Sequence, residues 1–274
     1  MECQLRDISV YYEEYGEGRP IIMIHGYTID HRMMVGCMEP ILNTIQGYKR
    51  IYLDLPGMGR TKGEQWITSS DKMLEVVLQF IEKVIPGQRY LLAGESYGGY
   101  LARGVAYHQA NNIDGLFLLC PVVKERDNNR TLPQKTVLVR NKSLLGGLSK
   151  EEAEGFEEMS VVQSMEILER YKSEILSGVN MADMGFLEKL RENYYFSFEA
   201  GLIDHKYEKP ALFILGRQDS CVGYKDAWDI LEKYPRATFA VLDRAGHNLQ
   251  FEQVDLFEAM VKEWLFRIKE SLQV

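Results

Sequence analysis

The residues Gly94-Glu95-Ser96-Tyr97-Gly98 match the pattern G-x-S-x-G, which can present a serine for attack on a carbonyl carbon. The pattern follows an apolar run that predicts a strand, and a predicted helix begins at Tyr97. A serine at such a turn has a strained backbone, so the residues packed beside it must be small. Gly94 and Gly98 meet that need. The alternative is a glycine-rich turn in which Ser96 only caps the helix.

A serine hydroxyl is a weak nucleophile at neutral pH and requires a base. Among the five histidines, His247 is the strongest candidate because it lies between a late predicted strand and the last helix. That loop lies at the same edge of the predicted sheet as Ser96. The alternative is a surface or capping histidine. The sequence context gives His25 a loop-organising role, places His108 on the helix after Ser96, and indicates a structural role for His205.

A histidine base needs a carboxylate that fixes its tautomer and stabilises the imidazolium. Asp219 directly follows a late apolar strand, in the segment Gly-Arg-Gln-Asp. The order Ser96, Asp219, His247 is the order of nucleophile, acid and base that accompanies this strand–turn–helix pattern. Two alternative acids are Asp127, after the preceding strand, and Asp243, four residues before His247.

Acyl transfer also needs hydrogen-bond donors for the oxyanion of the tetrahedral intermediate. One predicted donor is the backbone N–H of Tyr97, directly after Ser96. The other is the backbone N–H of Tyr27, in the loop after the apolar run 20–24. The segment 54–60 contains two glycines but lacks the spacing of a phosphate-binding loop, so we expect a tight turn that walls the site.

Apolar runs alternate with helical patterns along most of the chain, which predicts a parallel sheet with helices on both faces. The predicted strands are 8–15, 20–24, 50–54, 90–93, 115–120, 211–215 and 238–242. The predicted helices are 69–84 with Ser70 as N-cap, 97–109, 224–234 and 249–269, and the segment 31–46 is a helix or an irregular connection.

The stretch from 123 to 207 interrupts this alternation and carries helical patterns, with one weak strand pattern at 136–139. Ser149 and Glu152 have the spacing of a capping box. We predict a core of residues 1–122 and 208–274 with a helical lid inserted at 123–207. The insertion is rich in methionine and aromatic residues, which favours an apolar or aromatic substrate unless these residues only attach the lid. They are Met159, Met165, Tyr171, Met181, Met184, Phe186, Tyr194, Tyr195, Phe196 and Phe198.

The composition excludes several other classes of protein. The 274 residues are 46% hydrophobic and 26% charged, with a net charge of −8, which is typical of a globular chain and disfavours nucleic-acid or anionic-membrane partners. The four cysteines lie far apart, at 3, 37, 120 and 221, which indicates reduced thiols in a cytoplasmic protein. No apolar stretch is long enough to predict a membrane span.

Together, these residues resemble the α/β-hydrolase superfamily over the whole chain. The motifs that carry the resemblance stand in family order: His25-Gly26, the loop 54–60, the segment 94–99, Gly216-Arg-Gln-Asp219 and Gly246-His247. The resemblance implies a mostly parallel eight-stranded sheet with a helical lid. It also implies Ser96 as nucleophile, His247 as base, Asp219 as acid and Tyr27 with Tyr97 as oxyanion donors, without a cofactor or metal.

Differences between this sequence and individual branches of the superfamily narrow the range of expected activities. Haloalkane dehalogenases and soluble epoxide hydrolases carry an aspartate nucleophile where this chain has Ser96. Proline iminopeptidases carry His-Gly-Gly-Pro-Gly where this chain has His-Gly-Tyr-Thr-Ile at 25–29. The expected activity is hydrolysis of a small or medium carboxylic ester, with a small molecule as substrate. The alternatives are a C–C hydrolase, amidase, thioesterase or lactonase with the same triad, or a ligand-binding protein without enzymatic activity.

Overall fold

An eight-stranded sheet forms the centre of the protein in a computed structural model that describes residues 1–198 and 206–273. The strands are β1 (Glu2–Gln4), β2 (Ser9–Tyr15), β3 (Arg19–Ile24), β4 (Tyr48–Leu53), β5 (Tyr90–Glu95), β6 (Ile113–Leu119), β7 (Ala211–Gly216) and β8 (Ala237–Leu242). Their order is β1-β2-β4-β3-β5-β6-β7-β8. The pairs β1–β2 and β2–β4 are antiparallel and the other pairs are parallel, which confirms the predicted mostly parallel sheet.

The central strands contain long apolar runs, as expected for strands with helices on both faces of the sheet. Every residue of β5, β6 and β7 is buried. Helices α2 (Ser70–Val84) and α3 (Tyr97–Gln109) pack together in one layer, and α1 (His31–Leu42) packs with α11 (Val254–Ser271) in the other. This architecture puts the carboxyl ends of β3, β5, β7 and β8 at one edge of the sheet.

Short helices make up most of the segment between β6 and β7. They are α4 (Lys142–Gly146), α5 (Lys150–Met159), α6 (Met165–Arg170), a π-helical stretch Tyr171–Leu176, α7 (Ser177–Val179) and α8 (Met184–Arg191). Both hydrogen bonds of the predicted capping box between Ser149 and Glu152 are present. The weak strand pattern at 136–139 yields a single bridge between Val139 and Val162. The function of this insertion as a lid stays a prediction.

The remaining helices, α9 (Lys225–Asp229) and α10 (Leu249–Glu252), show where the boundaries predicted from sequence were wrong. The helix predicted at 224–234 ends at Asp229, and the one predicted at 249–269 is broken at Gln253 between α10 and α11. Ser69, not Ser70, caps α2, because its side chain accepts the hydrogen bond from the amide of Lys72.

Among the described residues, no helix combines the length and apolarity that crossing a bilayer requires.

Candidate active site

Ser96 lies at the turn between β5 and α3 with φ 52° and ψ −114°, a left-handed backbone that a residue with a side chain rarely adopts. A Cβ atom at position 98 would collide with the carbonyl oxygens of Ile24 and His25, so only glycine lets α3 approach β3 this closely. The Ser96 hydroxyl does not cap α3. The capping interpretation is therefore wrong, and the hydroxyl is available for another partner.

The structure brings Ser96, His247 and Asp219 into one hydrogen-bonded row. The Ser96 hydroxyl lies 3.0 Å from Nε2 of His247, and Nδ1 of His247 lies 2.9 Å from Oδ2 of Asp219. The other oxygen of Asp219 accepts hydrogen bonds from the amides of Cys221 and Val222, at 2.9 and 3.1 Å. Three loops that are distant in sequence thus meet at the carboxyl edge of the sheet.

Burial and charge act in opposite directions on the two ionisable members of this row. Burial opposes the charged form of Asp219, but His247 and the two amide donors hold the pKa of Asp219 below its usual range. Burial also opposes the imidazolium of His247, yet the neighbouring Asp219 carboxylate holds the pKa of His247 well above its usual range. An ionised Asp219 keeps the proton of a neutral His247 on Nδ1, which leaves Nε2 free to accept the proton of Ser96.

The two predicted oxyanion donors flank Ser96. Tyr97 is the first residue of α3, and Tyr27 lies in the loop directly after β3, the strand beside β5. In the described part of the chain, neither of these amides donates a hydrogen bond to another backbone or side-chain group. The two phenol rings meet edge to face, with centroids 5.3 Å apart, and the Tyr27 hydroxyl donates to the carbonyl of Leu187 in α8.

Of the histidines in the described residues, only His247 has a hydrogen bond to the Ser96 hydroxyl. His25 is fully buried, and its Nε2 accepts the amide proton of Leu55 at 2.9 Å, which ties two loops together. His108 packs edge-on against Tyr107 and Phe198, and the prediction for His205 lies outside the described residues.

The alternative acids occupy other positions. Asp243 is exposed and accepts a hydrogen bond from Gln218. Asp127 lies in the single helical turn Asp127–Asn129, in the segment after β6.

Glu95 is a site residue that the sequence motifs did not predict. Its side chain is buried, with the residue 2% exposed, and Oε1 lies 3.3 Å from Nε2 of His247. Burial raises the pKa of Glu95 to about 7, and the charge of His247 opposes that rise. The available signal was an ionisable residue at the end of an otherwise apolar strand, directly before the candidate nucleophile.

A cavity of about 490 Å³ opens beside Ser96 and His247. Of the ten methionine and aromatic residues named in the insertion, only Tyr194 and Tyr195 line this cavity. Phe186 instead packs against the loop at Gly57 and Gly63. The cavity wall also contains arginine and glutamate side chains: Arg126, Arg130, Arg191, Glu125 and Glu192.

Two groups of side chains in the described residues have the ligand types and spacing that a metal ion requires. Cys120 groups with Asp219 and His247, and His31 groups with Asp30 and Asp54. In the second group, Nδ1 of His31 already lies 2.7 Å from Asp54. In both groups, the histidine nitrogen is engaged with a carboxylate, so hydrogen bonding already accounts for the arrangement of these side chains.

Comparisons with known proteins agree with this architecture. Residues 19–254 match the family Hydrolase_4, described as serine aminopeptidase, S33. A solved alpha/beta superfamily hydrolase from Oenococcus oeni PSU-1 is 32% identical and superposes with a TM-score of 0.89 over 98% of this chain and 99% of that chain. The AB hydrolase superfamily protein YisY of Bacillus subtilis (strain 168) is 31% identical over 117 residues, which are 41% of each protein.

A third relative aligns over a longer stretch at lower identity. The pimeloyl-(acyl-carrier protein) methyl ester esterase of Legionella pneumophila (strain Corby) is 22% identical over 94% of this chain and 100% of its own length. The family match and the Oenococcus oeni structure confirm the predicted superfamily and the predicted mostly parallel sheet fold. The chain belongs to the Hydrolase_4 family of α/β hydrolases.

Proposed function

We propose that this protein hydrolyses small or medium carboxylic esters through an acyl-enzyme formed on Ser96. The observation that carries the proposal is the hydrogen-bonded row from Ser96 through His247 to Asp219, beside an open cavity. The names of the relatives support the same activity, since they include esterases and lipases.

In the first half of the reaction, Ser96 Oγ attacks the carbonyl carbon and its proton passes to Nε2 of His247. The amides of Tyr27 and Tyr97 donate to the oxyanion of the tetrahedral intermediate. Asp219 stabilises the imidazolium. The ester C–O bond then breaks, and His247 returns the proton to the departing alcohol.

In the second half, water attacks the acyl-enzyme and loses a proton to His247. The second tetrahedral intermediate collapses when the bond between the acyl carbon and Ser96 breaks. His247 gives its proton to Ser96, which releases the carboxylic acid and restores the free enzyme.

Labelling with a fluorophosphonate probe tests the nucleophile without knowledge of the natural substrate. We expect one adduct on Ser96, located by peptide mass mapping, and hydrolysis of 4-nitrophenyl butyrate by the same preparation. Ser96→Ala and His247→Ala should each abolish both signals while the proteins stay folded. Ser143→Ala removes an exposed hydroxyl from α4 and serves as the matched control. An adduct elsewhere, or full turnover by Ser96→Ala, contradicts the proposal.

Amide hydrolysis is a second candidate because the family description names a serine aminopeptidase. Aminoacyl 4-nitroanilides belong in the same assay for that reason. A higher kcat/KM for these amides than for matched 4-nitrophenyl esters would favour the peptidase activity.

A further inference from the structure

Glu95 places a buried carboxyl group beside the nitrogen of His247 that exchanges a proton with Ser96 in the proposed reaction. It is the last residue of β5 and directly precedes Ser96, so the same turn positions both side chains. Oε1 of Glu95 lies 3.3 Å from Nε2 of His247, and the Ser96 hydroxyl lies 3.0 Å from the same nitrogen. The triad has Asp219 at Nδ1 of His247 and leaves the carboxyl group at Nε2 without a role.

The surroundings of Glu95 give its carboxyl group few other partners. In the part of the chain that the structure describes, His247 is the one basic side chain that pairs with it, and Oε2 has no hydrogen-bond partner. Gly26 leaves the space that Oε2 fills, because a Cβ atom at that position would collide with this oxygen. A buried carboxyl group without a full set of partners costs stability, so folding alone gives no reason for a glutamate here.

Groups on several other elements act on Glu95 or respond to its charge. Burial opposes the charged form of Glu95, as does Asp219 after β7, whereas His247 after β8 and the amide of Gly26 after β3 favour it, and the balance raises the pKa of Glu95. Burial also raises the pKa of Cys37 on α1, and the charge of Glu95 adds to that rise. Among these neighbours, His247 is the group that can carry a positive charge.

We propose that ionised Glu95 is a positioning residue that stabilises the imidazolium of His247 at Nε2 while Asp219 stabilises it at Nδ1. This inference rests on the proposed function and adds a second carboxylate to its triad. A neutral His247 presents a lone pair at Nε2, which gains nothing from a nearby carboxylate. Once the proton of Ser96 has passed to Nε2, the ring is positively charged and Glu95 attracts it.

The attraction thus belongs to the charged intermediates and not to the resting enzyme, which is the condition under which an interaction raises kcat. Glu95 takes no proton in this scheme. The proton on Nε2 passes to the departing alcohol in the first half of the reaction and to Ser96 in the second half.

The kinetics of Glu95→Gln on 4-nitrophenyl butyrate between about pH 5.5 and 8.5 test this role. An opposite charge at such a distance changes a pKa by about 1–3 units, and each unit corresponds to about a tenfold effect. We therefore expect kcat at about pH 8.5 to fall about tenfold or more, with little change in KM. Below the Glu95 pKa of about 7, the wild-type carboxyl group is neutral too, so the ratio of wild-type to variant kcat should approach one.

Two further variants separate charge from structure. Glu95→Met fills a similar volume without any polar group and should show the same pH-dependent ratio. Glu174→Gln is the matched control, because Glu174 is another partly buried glutamate whose pKa is raised by burial but pairs with Arg170. The kcat of Glu174→Gln relative to the wild type should not vary with pH. Wild-type kcat in Glu95→Gln, or a ratio that is constant with pH, overturns the inference and leaves the proposed function intact.

Histidine-selective NMR tests the pair even if no ester is hydrolysed. In Ser96→Ala with ¹⁵N-labelled histidine, the signals of His247 are those that disappear in Ser96→Ala/His247→Gln. We expect the pKa of His247 to be about 1–3 units lower in Ser96→Ala/Glu95→Gln than in Ser96→Ala, because the variant lacks the carboxylate that attracts the imidazolium. An equal pKa in the two proteins overturns the inference, whatever the outcome for the proposed function.

Discussion

At the scale of single residues, Asp219 and Asp243 offer a direct test of which carboxylate orients His247. Asp219 is fully buried at Nδ1 of His247, whereas Asp243 is exposed and bonds to Gln218. We expect Asp219→Asn to lower kcat by about 10⁴-fold, because an amide at this position favours the wrong imidazole tautomer. Asp243→Asn, the matched control, should retain wild-type turnover. Steady-state kinetics on 4-nitrophenyl butyrate measures both, and the reverse result would reassign the acid.

Glu95 gives a prediction about stability and pH. Its pKa in the folded protein is about 7, above the ordinary 4.5, because burial disfavours the carboxylate. Between these two values the folded protein holds more protons on Glu95 than the unfolded chain, so this residue makes stability fall as pH rises. Glu95→Gln should therefore flatten the decline of the thermal midpoint from pH 4.5 to 7. The exposed Glu166→Gln should keep the wild-type slope, and an unchanged slope in Glu95→Gln would refute the assignment.

At the scale of secondary-structure elements, the contact between α3 and β3 depends on the absence of a side chain at Gly98. A methyl group there meets the carbonyl oxygens of Ile24 and His25, which belong to backbone and cannot move aside cheaply. We expect Gly98→Ala to lower the free energy of unfolding by about 1–3 kcal/mol or more and to displace Ser96. Gly146→Ala, in an open position on α4, should have little effect. Urea denaturation and fluorophosphonate labelling of the two variants provide the comparison, and a fully stable, labelled Gly98→Ala protein would contradict the packing argument.

Elements with strong local patterns could be predicted from the sequence, and those defined by distant partners could not. The buried strands β5, β6 and β7 have continuous apolar runs, and the capping box at Ser149 is a local pattern, so both were found. Strand β1 has three residues and is defined by its pairing with β2, which no local pattern reveals. The row of Ser96, Asp219 and His247 could also be predicted, because each residue lies in a loop at the end of a predicted strand. The positions of the arginines in the cavity wall could not be predicted, because they depend on how the insertion packs against the rest of the chain.

At the scale of the whole molecule, the site draws on three separated parts of the chain. Ser96 comes from the first part of the core, Asp219 and His247 come from the last part, and the insertion between them supplies part of the cavity wall. Glu252 connects the insertion to the last part of the core. Its Oε1 accepts hydrogen bonds from the amides of Val161 and Val162 in the insertion, at 2.6 and 3.0 Å. Its other oxygen accepts from the amide of Gly246 at 2.6 Å, directly before His247. One carboxylate thus fixes both the insertion and the loop of the candidate base.

Glu252→Gln should weaken this connection, because an amide offers one acceptor oxygen where the carboxylate offers two. Either the insertion or the loop at Gly246 then loses its acceptor, and a buried unpaired donor costs about 1–3 kcal/mol. We expect a lower thermal midpoint, reduced kcat and faster amide hydrogen exchange at 161–162 or 246–247. Glu258 on α11 pairs with Lys262, its one ion-pair partner within residues 1–198 and 206–273, and Glu258→Gln should change none of these quantities. If exchange and kcat stay at wild-type values in Glu252→Gln, the insertion and the His247 loop are positioned independently, and the cavity is held together by other contacts such as those of Arg130.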